Sequence, residues 1–185
     1  MKRRLFIAAA LDDPARDACS AVAERLRATG WTGRWIDPRT YHLTVAFLGS
    51  VEDERVAAVT EALAEAAERL APLTIALDAI GAFPHAQRPR VAWVGPRAAV
   101  PAFGTLCGVV RSRLVALGYS FDPDAEPHVT LARADGRTAL PAIAPPRSRL
   151  HVEALTLYES FTASTGARHE ALVAAPLGGT KRASV

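Results

Sequence analysis

The stretch YHLTVAFLG, residues 41–49, sets a histidine and a threonine two residues apart inside an apolar run. A second stretch, PHVTLARA at 127–134, repeats the step. Both runs have the length and composition of strands, and strand side chains alternate between faces. His42 and Thr44 therefore share one face, with Leu43, Val45 and Phe47 on the other. His128 and Thr130 likewise oppose Val129 and Leu131. The apolar residues are assigned to the core, which leaves each His/Thr pair on an open surface, in a cleft between two halves of the chain.

Working outward, RLFIAAAL (4–11) reads as a first strand ending at an Asp-Asp-Pro turn. Pro14 to Thr29 reads as a helix stopped by Gly30. GRWI and YHLTVAFLG follow as strands, the latter closed by Gly49. A helical stripe of Val56, Val59, Leu63, Ala66, Ala67 and Leu70 marks a helix over Ser50 to Leu70. LTIALDAIGAFP and RVAWVG read as strands joined by the loop HAQRP. The second half repeats the rhythm with a helix over Val100 to Leu117, a polar DPDAEP turn, HVTLARA, a Pro-rich link, and the strands LHVEALTLYES and HEALVAAPL. The expectation is an α+β fold of two similar lobes, forming a single domain over residues 1–178 with a loose tail at 179–185.

Composition bounds the function without choosing it. The 185 residues suffice for one domain with a substantial core, and 50% of them are hydrophobic. No apolar run is long enough to span a membrane. The start MKRRLFIAAALDD imitates a signal peptide but meets Asp12 and Asp13 at once, so it is read as a strand and the protein as cytoplasmic. The two cysteines form no CxxC pair, and the five histidines no close metal-ligand set. The net charge is +3 and the pI about 9.2, with the basic residues nearly all arginine. Arginine favours planar anions such as phosphate, which permits a nucleotide or nucleic-acid ligand.

Two His/Thr pairs facing a common space can hold one phosphate between two imidazoles. One ring takes a proton from water while the other gives a proton to the departing oxygen, and an ordinary pKa near 6.5 suits histidine to both tasks. Threonine hydroxyls and a guanidinium can carry the developing charge without a metal.

The same segments carry a resemblance. RLFIAA, WIDPRTYHLTVAFLG, IGAFPHAQRPRVAWVG, PHVTLAR and LTLYES are similar to the two-histidine phosphoesterases, closest to the bacterial RNA 2′,3′-cyclic phosphodiesterases, also called 2′-5′ RNA ligases. The resemblance runs over nearly the whole chain. It implies two pseudo-symmetric lobes of antiparallel sheet and helix around a central cleft. It further implies opening of an RNA 2′,3′-cyclic phosphate to a 2′-phosphomonoester without metal or cofactor, with a reversible 2′-5′ RNA ligase activity through the same histidines. By that resemblance His42 is the acid toward the 3′ oxygen, His128 the base toward water, Thr44 and Thr130 ligands of the non-bridging oxygens, and Arg133 a phosphate contact. The expected partner is an RNA or oligonucleotide with a cyclic phosphate end, bound by a monomer.

Arg133 sits awkwardly with strict alternation, which puts it on the face opposite His128 and Thr130 unless the strand bulges or ends there. Phe6 and Arg34 are secondary candidates to line the cleft, each with a structural role as the simpler reading. His85, in the PHAQRP loop, is a weaker candidate still. His151 and His169 are assigned no chemistry, and Tyr158, in the LYES segment, is explained by packing at least as well as by any family role. Two other functions fit the pattern: a phosphodiesterase for a different cyclic phosphate, such as a nucleotide or ADP-ribose derivative, and a non-catalytic nucleotide-binding module.

Overall fold

The computed structural model describes residues 1–122, 126–163 and 166–178. The tail 179–185 and part of the DPDAEP turn lie outside the described residues. Ten strands and three α-helices follow one another along these residues. The strands are β1 (Lys2–Ala10), β2 (Arg34–Trp35), β3 (His42–Glu52), β4 (Leu73–Leu77), β5 (Ala79–Phe83), β6 (Val91–Gly95), β7 (Val129–Arg133), β8 (Ser148–Val152), β9 (Ala154–Ala163) and β10 (Gly166–Pro176). The helices are α1 (Asp13–Ala28), α2 (Val56–Ala67) and α3 (Pro101–Val115). The fold is α+β, as expected. No helix among the described residues is long and apolar enough to cross a membrane.

The eight strands of the large sheet run β10-β9-β1-β3-β7-β6-β5, with β2 added beside β7. Every pairing in it is antiparallel. β4 and β8 form a separate two-stranded sheet. One half of the sheet is β10-β9-β1-β3 and the other β7-β6-β5, each drawing strands from both halves of the chain, and the two join where Leu43 pairs with Val129. The two His-x-Thr steps thus lie on neighbouring strands of one sheet.

The helices cover one face of that sheet. α3 packs over β3, α2 packs against α3 and over β9 and β10, and α1 lies over β7 and β8. Ile7, Leu43, Val45, Val129 and Leu131 project into this layer, where they meet Leu26, Leu63, Leu106 and Leu114 in one continuous core. Burying a leucine of this kind stabilises the fold by about 1.5–3 kcal/mol, so the strand pattern alone strongly selects which face turns inward. Cys19 and Cys107 are buried here, as free thiols in α1 and α3. The other face of the sheet is left to the polar residues of the motifs.

Element ends follow local chemistry. Asp12 caps α1 by accepting a hydrogen bond from the Ala15 amide at 2.9 Å, and Pro14 occupies the first turn. Some boundaries differ from the sequence expectation. Gly49 does not close β3: with φ at +69° it lets the strand bulge and continue to Glu52. The second helix therefore begins only at Val56, after a single 3₁₀ turn. LTIALDAIGAFP and LHVEALTLYES are each two strands, not one, because β4 and β5, like β8 and β9, join different sheets.

Gly81 on β5 pairs with Trp93 on β6, and the indole lies directly over it. A Cβ at position 81 would stand 2.2 Å from Trp93 Cζ2. Gly81→Ala is expected to displace the indole and destabilise the protein by about 1–3 kcal/mol, the usual cost of overpacking. Urea unfolding followed by tryptophan fluorescence measures both effects.

Candidate active site

The site is assembled on the open face of β3 and β7. The antiparallel register that sets Leu43 against Val129 carries His42 toward Thr130 and Thr44 toward His128. Each histidine thereby neighbours the other strand's threonine, and cross-strand neighbours stand roughly 5 Å apart. All four side chains are half-buried.

Each imidazole is held in the same way. His42 Nδ1 lies 2.8 Å from the Thr40 carbonyl, and His128 Nδ1 lies 2.9 Å from the Glu126 carbonyl. A carbonyl only accepts, so Nδ1 carries the hydrogen in both rings, and Nε2 keeps the lone pair that accepts or passes a proton. Each ring also rests against a phenylalanine. Phe6 is 4.8 Å from His42 between centroids, and Phe83 meets His128 edge-on at 4.9 Å.

A bulge follows each motif. Thr44 pairs with Ala8, but the next pair is Ala46 with Ile7, so Val45 is extra. In the same way Thr130 pairs with Trp93, the next pair is Ala132 with Ala92, and Leu131 is extra. Both extra residues and their followers turn inward, and all four are buried. The alternation then resumes one residue late. This brings Arg133 to the face of Thr130, which resolves the conflict with strict alternation. It also corrects Phe47, expected in the core: it lies on the site face, paired with Phe6 and 65% exposed. Phe47 and Arg133 occupy equivalent positions, five residues beyond each histidine.

His169 is the residue that sequence reasoning passed over. On β10, a strand with no motif of its own, it reaches His42 edge-on at 5.3 Å and Phe6 at 4.9 Å. The link runs through register: His169 pairs with Ser160, Tyr158 with Phe6, and Phe6 with Phe47. Tyr158 stacks on Phe6 at 5.2 Å and, with His42, Arg16, Arg39 and His169, lines a small cavity of about 90 Å³. Phe6 is therefore both buried and in contact with the site. Arg34 on β2 pairs directly with Arg133. His151 lies apart on β8, bonded to the Thr74 hydroxyl at 3.1 Å. Among the described residues no group of three His, Cys, Asp or Glu side chains converges as a metal site would require.

Burial dominates the electrostatics. It pushes His42 down to about 4, against a partial opposing effect of the Thr40 carbonyl, with His169 and His128 adding a smaller depression. Burial also lowers His128, where Glu126 pulls upward and Arg133 downward. His169 is lowered by burial as well. The arrangement presents two neutral imidazoles, two hydroxyls and a guanidinium on one surface, which suits transfer of protons around a bound anion.

Comparison with known proteins places this geometry. The LigT-like phosphoesterase family model matches residues 10–93. An RNA 2′,3′-cyclic phosphodiesterase of Archaeoglobus fulgidus is 33% identical over 131 residues, covering 70% of this chain and 72% of that protein. The chain belongs to the LigT-like phosphoesterase family. A further relative of the same name, from Geobacillus stearothermophilus, is 35% identical over 136 residues, which cover 72% of this chain and 43% of that longer protein. Among solved structures, E. coli LigT complexed with 3′-AMP superposes with a TM-score of 0.80 at 29% identity, covering 96% of this chain and 99% of that one. A Thermus thermophilus protein superposes at 0.82 with 26% identity and the same coverage.

The depressed histidines make stability depend on pH. A buried histidine whose pKa is lowered on folding favours the folded state fully above the unfolded value near 6.5, and that contribution is lost as pH falls toward the folded value. For His42, a drop to about 4 corresponds to a loss on the order of 3 kcal/mol. Chemical denaturation of the wild type and His42→Gln at pH 7 and pH 4 should show the variant losing less stability on acidification.

Proposed function

We propose that the protein opens the 2′,3′-cyclic phosphate at the end of an RNA strand to a 2′-phosphomonoester, with His42 and His128 as the proton-transferring pair. The observation that carries this reading is the matched clamping of the two imidazoles: both fix Nδ1 on a carbonyl and keep Nε2 for chemistry. The name shared by its relatives in Archaeoglobus fulgidus and Geobacillus stearothermophilus supports the substrate class.

In the proposed step, Nε2 of neutral His128 takes a proton from water as the water oxygen bonds to phosphorus. The bond from phosphorus to the 3′ oxygen breaks, and that oxygen takes a proton from Nε2 of protonated His42. The products are a 2′-phosphomonoester and a free 3′-hydroxyl. Thr44 and Thr130 donate hydrogen bonds to the non-bridging oxygens, and the Arg133 guanidinium balances the charge that accumulates on them. Because burial disfavours the imidazolium in the free protein, the phosphate anion itself supplies the counter-charge that lets one ring hold a proton. With a 5′-hydroxyl in place of water, the same forward step forms a 2′-5′ phosphodiester and frees the 3′-hydroxyl, which is ligation through the same groups; its reverse cleaves the 2′-5′ bond and closes the cyclic phosphate. The proposal is completed by a single domain over residues 1–178, acting as a cytoplasmic monomer without metal.

His42→Ala and His128→Ala are each expected to lower kcat/KM by at least about 10²–10⁴-fold while the protein remains folded. Steady-state turnover of a cyclic-ended oligonucleotide, with circular dichroism as the folding control, decides the matter; full activity in either variant rules out the pair. The substrate class is read by comparing that oligonucleotide with a cyclic mononucleotide and an ADP-ribose cyclic phosphate.

The pH profile of kcat/KM should be bell-shaped, since one ring must be neutral and the other charged. Both free-enzyme pKa values lie below the ordinary 6.5, and the maximum of a bell falls midway between its two limbs. The optimum is therefore expected on the acid side of 6.5, whichever ring is the acid. An optimum well above 7 would contradict the burial described for both rings.

A further inference from the structure

A second and larger cavity, of about 620 Å³, is lined by Pro84, His85, Arg88, Arg90, Gly136 and Arg137. It adjoins the site through the chain itself, since Pro84 follows Phe83, whose ring touches His128. The two loops that form it are tied together by backbone bonds. The Ala134 amide donates to the Arg90 carbonyl at 3.0 Å and the Leu140 amide to the Ala86 carbonyl at 2.7 Å, while the Arg90 amide closes the first loop on the Phe83 carbonyl at 2.7 Å. Gly136 takes φ of +80°, and a Cβ there would stand 3.3 Å from Arg90 Nε, so the missing side chain makes room for the guanidinium.

The charge in this cavity is poorly balanced. Arg137 is met by Asp135 at 3.5 Å, with both side chains largely exposed. Arg88 and Arg90 have no ion pair among the described residues. Next to them Arg34 and Arg133 face each other across β2 and β7, and like charges directly opposite destabilise a sheet. Three arginines against one carboxylate line the cavity, with two more on the adjoining strands, an arrangement that a polyanion relieves. Guanidinium groups match phosphate oxygens in geometry as well as charge.

We infer that this arginine-lined cavity holds a backbone phosphodiester of the RNA strand, one or more nucleotides away from the phosphate that reacts. The inference rests on the reading of the site as an RNA phosphodiesterase and adds a substrate preference to it. A cyclic-ended oligonucleotide engages both the two histidines and the cavity, whereas a cyclic mononucleotide engages the histidines alone. The cavity contributes binding only; no proton or bond changes hands there.

The test compares wild type with Arg88→Gln/Arg90→Gln/Arg137→Gln. In the wild type, kcat/KM for a cyclic-ended tetranucleotide should exceed that for the cyclic mononucleotide by about tenfold or more. In the triple variant that preference should collapse toward unity, with mononucleotide turnover unchanged. Fluorescence anisotropy of a labelled tetranucleotide ending in a 3′-hydroxyl gives a readout independent of turnover. Its salt dependence should weaken by about 0.7 in log–log slope for each phosphate that the variant no longer neutralises. A preference that survives in the variant, or is absent from the wild type, overturns the inference, as does unchanged anisotropy. Failure of the wild type to turn over any cyclic phosphate would instead refute the proposed function, and the anisotropy would still decide the cavity.

Discussion

The pairing of β3 with β7 is the constraint on which the rest depends. Through Leu43 and Val129 it joins the β10-β9-β1-β3 and β7-β6-β5 halves into one sheet. It also fixes which residues are neighbours on that sheet's open face. Because the strands run antiparallel, the pairing relates the two motifs by an approximate two-fold rotation, so each histidine is placed beside the threonine of the other strand. Neither motif could form a site without this seam. The helices on the far side hold it in place by burying the leucines and valines between the polar residues.

The approximate symmetry goes deeper than the motifs. Each histidine donates Nδ1–H to the carbonyl two residues before it. Each rests on a phenylalanine, and each strand bulges immediately after its threonine. A bulge shifts the phase of side chains by one position, and here it serves two ends at once. Two consecutive apolar residues, Val45 with Ala46 and Leu131 with Ala132, enter the core. The residue after them is returned to the site face.

Much of this was legible in the sequence. The period-two pattern around His42 and His128 assigned faces correctly through Val45 and Leu131, because a one-residue error would have exposed Leu43, Val45 or Val129 to water. It failed beyond that point, where HLTVAF and HVTLAR each place two apolar residues in succession. That doubled apolar step, repeated at the same distance from each histidine, was the signal that could have located both bulges, and with them Arg133 and Phe47. His169 was not legible at all. Its place beside His42 depends on pairings across β9 and β1, which no local pattern encodes. Nor could the sequence reveal that β3 passes through Gly49, since a glycine at positive φ ends a strand as readily as it bends one.

The two halves differ in one respect that bears on direction. Five residues past His42 stands the ring of Phe47, and five past His128 the guanidinium of Arg133. A cradle with perfect two-fold symmetry would accept a small anion equally well in two orientations related by a half-turn, and the imidazoles would exchange duties between them. An apolar ring at one end and a fixed positive charge at the other remove that degeneracy. The scaffold is near-palindromic, yet the cradle it builds has a head and a tail.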